Sequence, residues 1–312
     1  MSKSIVILNP ASGSTDEVFR DDVEVALQAH GSEFEIRETT PEDGGGVLAA
    51  RAIEEGFNHL IACGGDGTIM SVVNGLGGVL EHSTSNDRNS KIKNQKSKIV
   101  LSILPGGTAN LLAGALGIPS DVKEAVSVAF SGQERAIDLG RCGEHLFALG
   151  VGLGLTEKLV SQTSAKEKER LGKLAYVKGM LSEMGTQPTR FSFRLDDKPE
   201  QIERGVAIVI ANAGQIGGNL HFAPDAKMDD GLLDLCILHR FDGRDVLRMA
   251  WKSLLGQLAE DRAVSFYRAK KIEVRSEPPL DCQIDGEVVD VTTPLIAEVL
   301  PCALTVRVPR QK

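Results

Sequence analysis

Apolar and polar positions follow two different patterns along this chain, and the pattern changes near residue 135. Before that point, short apolar runs typical of buried strands are separated by segments with apolar residues at helical spacing. The predicted strands are 4–8, 34–38, 60–63 and 99–104, and the predicted helices are 17–29, 46–55 and 69–76. This alternation predicts a doubly wound, mostly parallel sheet with helices on both faces.

After residue 135, strand-like segments dominate and only two helical stretches interrupt them. The predicted strands are 135–141, 144–150, 190–195, 205–213, 232–238, 271–275, 295–299 and 303–308, and the helical stretches are 157–184 and 243–260. A strand-rich second half of this kind predicts a β-sandwich-like domain with helical insertions. The fold class is therefore α/β with two domains, the first a doubly wound, mostly parallel sheet and the second β-sandwich-like.

Composition narrows the class of protein. Of the 312 residues, 42% are hydrophobic and 25% are charged, which is typical of a globular protein. No apolar run reaches the roughly 20 residues of a membrane-spanning helix, and the first residues lack a secretory signal. Five cysteines lie far apart without a Cys-x-x-Cys pair, so we expect reduced thiols and a cytoplasmic location.

Net charge argues against two classes of partner. At −8, the chain is not expected to bind nucleic acid, or to bind an anionic membrane through its overall charge. Any peripheral membrane contact must then be local. The basic amphipathic stretch 157–184 fits either a helix at a bilayer interface or a helix packed on the domain. The polar, lysine-rich segment 81–98 has too few apolar residues for a core and is predicted to be a surface insertion.

Three polar turns follow predicted strands of the first domain, at residues 9–14, 64–68 and 105–110. In parallel sheets, ligands bind where the carboxyl ends of the strands meet. The second turn, Gly64-Gly65-Asp66-Gly67-Thr68, lets backbone N–H groups approach a phosphate because glycine has no Cβ. Asp66 would repel that phosphate unless Mg²⁺ or a transferable proton lay between them, which is typical of a kinase.

Seven ordered motifs together resemble the catalytic domain of the diacylglycerol kinase family, in its bacterial lipid kinase form. They span nearly the whole chain: ILNPASG at 7–13, GGDGT at 64–68, LPGGTAN at 104–110, ALGIP at 115–119, IDLG at 137–140, APDAKMDDGLLD at 223–234 and IDGE at 284–287.

The resemblance implies an ATP- and Mg²⁺-dependent lipid kinase of phospholipid metabolism. Such an enzyme transfers the γ-phosphate of ATP to a lipid hydroxyl group. The implied fold is that of NAD kinase and phosphofructokinase in the first domain, with the active site in the cleft between the domains. The implied nucleotide domain is 1–136, to which 300–312 return, and the lipid-substrate domain is 137–299.

The resemblance also implies a set of nucleotide-binding residues in the first domain. Thr40 and Thr108 have an alternative interpretation as helix N-caps, because each precedes a helical segment. The implied nucleotide-binding residues are Asn9, Pro10, Ala11, Ser12, Gly13, Thr40, Gly64, Gly65, Asp66, Gly67, Thr68, Thr108 and Asn110.

Asp285-Gly286-Glu287 carries the implied general base, and Asp66 of the first domain is the third implied catalytic residue. We predict that Glu287 accepts the proton of the substrate hydroxyl and that Asp285 positions it or holds the active-site metal. The alternative interpretation is a β-hairpin, since Asp-Gly is a common two-residue turn and strand-like residues flank it.

A structural Mg²⁺ site is implied in the segment 227–232. The carboxylate of Asp230 and the backbone carbonyls of Lys227 and Leu232 would supply hard oxygen ligands. The alternative interpretation is a solvated acidic turn. Asp138, next to a glycine in an apolar stretch, is predicted to join a polar network with this loop.

The match to the family departs at four places. Met70-Ser71 stands where the family usually has Asn-Glu, Leu111 replaces an Asp, and Ala148-Leu149 replaces a common Asn. The segment 81–98 has no counterpart of its length. The first three departures remove polar groups near the expected site, so they bear on nucleotide geometry, substrate choice and activity.

Two alternatives of other classes stay open at this point. An NAD kinase shares the Gly-Gly-Asp-Gly-Thr turn, although the Asn-Glu pair that would hold the dinucleotide is absent here. A non-catalytic nucleotide- or lipid-binding protein is the other. The sequence identifies neither the lipid nor the oligomeric state, and a homodimer is one option.

Overall fold

The computed structural model describes residues 4–12, 17–31, 33–77, 99–154, 187–214, 223, 225–239 and 263–310. Gly13, the predicted insertion 81–98 and the predicted helices 157–184 and 243–260 lie outside the described residues. Among the described residues, no helix combines the length and the mean hydropathy that crossing a membrane requires.

The chain divides into two compact units. One consists of Met1–Asp138 together with Pro301–Lys312, and the other of Leu139–Leu300. Two long strands, β5 (Gln133–Cys142) and β16 (Leu295–Val308), contribute residues to both units. The predicted domain limits, 136 and 300, differ from these divisions by one or two residues.

The described elements of the first unit are β1 (Ser4–Leu8), α1 (Glu17–His30), β2 (Phe34–Glu38), α2 (Gly45–Glu54), β3 (His59–Gly64), α3 (Asp66–Gly75), β4 (Val100–Pro105), α4 (Leu111–Ala115) and α5 (Val122–Ser131). The strands form a parallel sheet in the order β2-β1-β3-β4-β16. Every residue of β1, β3 and β4 is buried, which explains why these strands are nearly continuous apolar runs. Helix α1 packs against α5, and α2 packs against α3.

Besides β5 and β16, the described strands of the second unit are β6 (His145–Phe147), β7 (Gly150–Leu153), β8 (Thr189–Leu195), β9 (Gln201–Gly205), β10 (Ala207–Ala211), β11 (Leu233–Leu238), β12 (Val264–Ala269), β13 (Lys271–Glu277), β14 (Asp281–Ile284) and β15 (Glu287–Thr292). They form two antiparallel sheets that share one apolar core. One sheet has the order β16-β13-β8-β9, with β5 pairing β16 and β6, and the other has the order β12-β11-β10-β7-β14-β15. The core includes Phe191 and Phe193 from the first sheet and Ile210 and Leu235 from the second.

The predicted fold class is confirmed, whereas several element limits were wrong. Helix α3 begins at Asp66 rather than at residue 69, so the last three residues of the glycine-rich turn belong to the helix. The predicted strand 144–150 is two strands, interrupted where the N–H groups of residues 148–150 bind Asp285. The predicted strands 295–299 and 303–308 form one strand, within which the Cys302 N–H donates to the buried carboxylate of Asp138.

Candidate active site

The described parts of the three predicted phosphate-binding turns, residues 9–12, 64–68 and 105–110, lie side by side at one edge of the parallel sheet. They follow β1, β3 and β4, and backbone hydrogen bonds connect them. The Asn9 N–H donates to the Cys63 carbonyl at 3.0 Å, and the Gly106 N–H donates to the Gly64 carbonyl at 2.9 Å. Because the strands are parallel, their carboxyl ends bring these turns to the same edge.

Thr68 joins the first turn to the second. The Asn9 side-chain amide donates to Thr68 Oγ1 at 2.8 Å, and Ser12 Oγ lies 3.4 Å from the same oxygen. Ser12 Oγ also accepts the N–H of Gly65 at 3.3 Å. A Cβ atom at Gly64 would lie 2.7 Å from Thr68 Oγ1, so only glycine fits beside this threonine. Asn9, Ser12 and Thr68 therefore fix the shape of both turns.

The second and third turns are in direct backbone contact. A Cβ atom at Gly107 would lie 2.5 Å from the Cα of Gly65. Asn110 holds the third turn closed, since its side chain accepts the Gly107 N–H at 2.9 Å and donates to the Gly107 carbonyl at 2.7 Å. Asn110 adopts a left-handed conformation with φ of 47°, which asparagine tolerates better than most residues.

Asp66 connects the second turn to the helix after the third. Its Oδ2 accepts the Leu111 N–H at 3.0 Å, and its Oδ1 accepts the Leu112 N–H at 3.1 Å. A carboxylate at a helix N-terminus is favourable because unpaired N–H groups gather there. This contact explains an acidic residue in a glycine-rich turn without a metal ion or proton. The catalytic assignment of Asp66 stays a prediction.

The two threonines are not helix N-caps, and that interpretation was wrong. Helix α2 is capped by Gly44 and α4 by Asn110, and neither residue forms a side-chain capping bond. Instead, Thr40 Oγ1 accepts the Asp43 N–H at 3.0 Å within a surface turn. Thr108 is exposed, as are Pro10 and Ala11 in the first turn.

The other predicted residues meet at one edge of the six-stranded sheet in the second unit. At this edge β10, β12 and β14 end and β7, β11 and β15 begin, as the registers show. The connections there contain residues 148–149, Asn212, Asp230 and Asp285, and Glu287 is the first residue of β15. Antiparallel pairing thus collects side chains that lie far apart in the sequence.

Asp285 is enclosed by backbone donors. Its Oδ2 accepts the Ala148 N–H, and its Oδ1 accepts the N–H groups of Leu149 and Gly150, each at 2.8 Å. Asp285 and Gly286 form the two-residue turn between β14 and β15, with φ of 50° and 88°. The hairpin interpretation of Asp285-Gly286 therefore describes the structure, and it is compatible with a role in the site.

Glu287, two residues later, lies in a different environment. It is the first residue of β15 and is exposed. Its carboxylate forms no hydrogen bond or ion pair with the residues that the structure describes. A carboxylate of this kind can accept a proton from an incoming hydroxyl group, whereas the oxygens of Asp285 already accept three N–H groups.

Asn212 is a buried residue that the sequence analysis missed. Its side-chain amide donates to the Ala148 carbonyl at 2.8 Å, and its backbone N–H donates to the Leu149 carbonyl at 2.9 Å. Asn212 and Asp285 therefore hold the same short segment from two sides. The sequence does contain a signal for this residue, because Asn212 is a single amide between two alanines at the end of an apolar strand.

Asp230 is contacted by Arg268, which was also missed. Asp230 Oδ1 accepts the Leu232 N–H at 3.1 Å, and its Oδ2 lies 2.5 Å from a guanidinium nitrogen of Arg268. Lys227 is exposed. In the described part of the chain, no group of three His, Cys, Asp or Glu side chains could hold a metal ion. The metal site at Lys227, Asp230 and Leu232 stays a prediction.

Comparison with known proteins gives consistent matches over both units. Residues 3–142 match the diacylglycerol kinase catalytic domain, and residues 151–308 match the YegS C-terminal NAD kinase β-sandwich-like domain.

Individual proteins match over most of their length. The diacylglycerol kinase of Bacillus subtilis is 31% identical, covering 92% of this chain and 90% of that protein. A probable lipid kinase YegS-like protein of Chromohalobacter salexigens is 32% identical, with 90% and 86% covered. A crystal structure of a diacylglycerol kinase from Bacillus anthracis has a similar fold, with a TM-score of 0.73, 21% identity, and 98% and 97% of the two chains covered.

Proposed function

Because the chain belongs to the diacylglycerol kinase family, we propose that it transfers the γ-phosphoryl group of ATP to a hydroxyl group of a diacylglycerol-like lipid. The product would be a phosphorylated lipid and ADP, which places the reaction in phospholipid metabolism. A lipid acceptor also requires peripheral contact with a membrane surface, and this contact is part of the proposal.

The observation that carries the proposal is the set of three interlocked turns in the first unit. Backbone N–H groups can approach phosphate oxygens closely where glycines replace larger residues, as at Gly64, Gly65 and Gly107. The hydrogen bonds among Asn9, Ser12 and Thr68 hold these turns before ATP binds. Preorganised donors of this kind stabilise the charge of a transferring phosphoryl group.

Magnesium is proposed to arrive with ATP, because the carboxylate of Asp66, within the second turn, already accepts two hydrogen bonds. Both oxygens of Asp66 accept backbone N–H groups of helix α4. The phosphate oxygens of ATP would therefore be the principal ligands of the ion. When bound, Mg²⁺ neutralises part of the charge that develops on the phosphates during transfer. Asp66 would position the third turn.

Glu287 is proposed to accept the proton of the lipid hydroxyl. As the hydroxyl oxygen forms its bond to the γ-phosphorus, the bond from that phosphorus to the ADP oxygen breaks. The hydroxyl proton would pass to the Glu287 carboxylate. Asp285 would fix the turn beside Glu287 through its bonds to residues 148–150.

The test is phosphate transfer from radiolabelled ATP with Mg²⁺ to a panel of detergent-dispersed lipids. The panel contains diacylglycerol, another glycerolipid, a sphingoid base and a polyprenol, with NAD as the control acceptor. We expect a labelled lipid and no labelled dinucleotide. Transfer to NAD alone would replace the proposal with an NAD kinase activity. ATP binding without transfer to any acceptor would favour a non-catalytic binding protein.

A further inference from the structure

Arg268 contacts both ends of the segment 225–234, here called the acidic loop. Its Nε lies 3.0 Å from Asp234 Oδ1, opposite it across β11 and β12. Its Nη2 lies 2.5 Å from Asp230 Oδ2 and donates to the Asp225 carbonyl at 3.2 Å. One guanidinium group thus joins the beginning, the middle and the end of the loop.

Burial explains why this loop needs a cation. The Asp234 side chain is almost fully enclosed, with 3% of the residue exposed. Burial raises the pKa of Asp234, and Arg268 opposes that rise. A buried carboxylate is costly unless an opposite charge and hydrogen bonds accompany it. Arginine suits this position because its guanidinium stays charged and offers several donors in a fixed plane.

The donor set around Asp230 does not fit the metal site that the family resemblance implies. Mg²⁺ requires oxygen ligands at about 2.0–2.1 Å in a nearly octahedral arrangement. Asp230 Oδ1 faces the Leu232 N–H, and Asp230 Oδ2 faces the guanidinium of Arg268. A divalent cation at that carboxylate would be repelled by the guanidinium of Arg268, since both carry positive charge.

We propose that the guanidinium of Arg268 supplies the counter-charge of the acidic loop in place of a divalent cation. The conformation of the loop, and the stability of the unit that contains it, then do not depend on Mg²⁺. This inference concerns residues 225–234 and 268 alone and does not rest on the proposed kinase activity.

The first test measures metal binding by the full, nucleotide-free chain. Mn²⁺ binding is followed by equilibrium dialysis, and Tm is compared in excess EDTA and in millimolar MgCl₂ at matched ionic strength. We expect no saturable ion that depends on Asp230, and equal Tm values in both solutions. One tightly bound ion per chain that is lost in Asp230→Asn would overturn the proposal.

The second test removes the guanidinium. In Arg268→Gln, the carboxylates of Asp230 and Asp234 lose their counter-charge. Tm should therefore fall by several degrees, and added Mg²⁺ should recover part of the loss. Arg268→Lys keeps the positive charge but lacks the planar guanidinium group, so its Tm should lie between those of the wild type and Arg268→Gln. Arg194→Gln is the matched control, because among the described residues this exposed arginine forms an ion pair with Glu273 alone, at 3.7 Å, between the adjacent strands β8 and β13 of the other sheet.

Two outcomes of the second test are decisive against the proposal. An unchanged Tm in Arg268→Gln would show that the contacts do not stabilise the loop. A fall in Tm that equals that of Arg194→Gln would have the same meaning. If Arg268→Gln does not fold, the metal measurements on the wild-type chain still decide whether an ion or the arginine occupies the loop.

Discussion

The three carboxylates that the sequence points to as catalytic differ in what surrounds them. Asp66 and Asp285 each accept backbone N–H groups with both oxygens, and each thereby holds a neighbouring turn. Glu287 is exposed and accepts none from the described residues. Two of these residues are therefore suited to maintaining geometry, and Glu287 is suited to proton transfer.

Substituting Glu287 and Asp285 should separate these roles. Glu287→Gln should lower kcat by about 10²- to 10⁴-fold, because the amide cannot accept the proton, while Tm and ATP affinity stay unchanged. Asp285→Asn should lower stability by about 1–3 kcal/mol, because an amide cannot accept from all three buried N–H groups. Steady-state kinetics and denaturant unfolding measure the two effects. Turnover at the wild-type rate in Glu287→Gln would show that Glu287 is not the proton acceptor.

His59 should make the stability of the first unit depend on pH. It is 2% exposed, with hydrogen bonds to Ser4 and Ser102, and burial lowers its pKa to about 4, with Arg307 adding to the effect. The unfolded chain, with a histidine pKa near 6.5, then binds more protons than the folded chain between about pH 6.5 and pH 4. Stability should therefore decrease as the pH falls through this range.

We expect His59 to account for about 2 kcal/mol of lost stability between about pH 7 and pH 5. Urea unfolding at several pH values measures this loss. His59→Gln keeps a neutral polar side chain, so the loss of about 2 kcal/mol should be absent from the pH dependence of its unfolding free energy. His30→Gln, at an exposed position, should retain the pH dependence of the wild type. Equal slopes in the wild type and His59→Gln would contradict the assignment.

At the scale of elements, the approach of α2 to α3 depends on two glycines. A Cβ atom at Gly75 would lie 2.2 Å from the Gly46 carbonyl oxygen and 2.6 Å from the Gly46 Cα. The Ser71 hydroxyl also accepts the Gly46 N–H at 3.0 Å, so the family departure at Ser71 is part of this contact. Helix α3 begins at Asp66 in the second turn, which links this packing to the site.

Gly75→Ala should therefore destabilise the protein by about 2 kcal/mol or more, since one backbone must move away from the other. Gly114→Ala is the matched control, because no atom lies within 4 Å of the added methyl group. It should be neutral or stabilise by up to about 1 kcal/mol. Thermal unfolding of both variants measures the difference. Similar Tm values would show that the helices can separate without cost.

Sequence patterns were sufficient for elements that the chain determines locally. The buried strands β1 and β3, the partly exposed strand β2 and the helices α1 and α2 follow from apolar spacing, and their predicted limits are correct within one residue. The hairpin at Asp285-Gly286 follows from turn chemistry. Residues whose partners lie far along the chain could not be found this way: Asn212 meets Ala148, and Arg268 meets Asp230, only after antiparallel strands pair.

At the scale of the whole molecule, the proposal divides the chemistry between the two units. The first unit holds the interlocked turns proposed for the nucleotide, and the second holds Glu287 and the acidic loop. Each unit has its own core and its own polar network, with Asp66 central to one and Asp285 to the other. The two ions that the family resemblance implies, one with ATP and one at Asp230, would therefore act on different units.

The magnesium dependence of the reaction should distinguish these two ions. If Arg268 supplies the counter-charge of the acidic loop, no second Mg²⁺ is required. The rate at fixed ATP should then follow the concentration of MgATP as Mg²⁺ is added and level off. EDTA should abolish turnover without lowering Tm. A second saturable rise at higher free Mg²⁺, lost in Asp230→Asn, would show that the loop binds an ion that the reaction needs. Lys123→Gln, an exposed control in α5, should leave the profile unchanged.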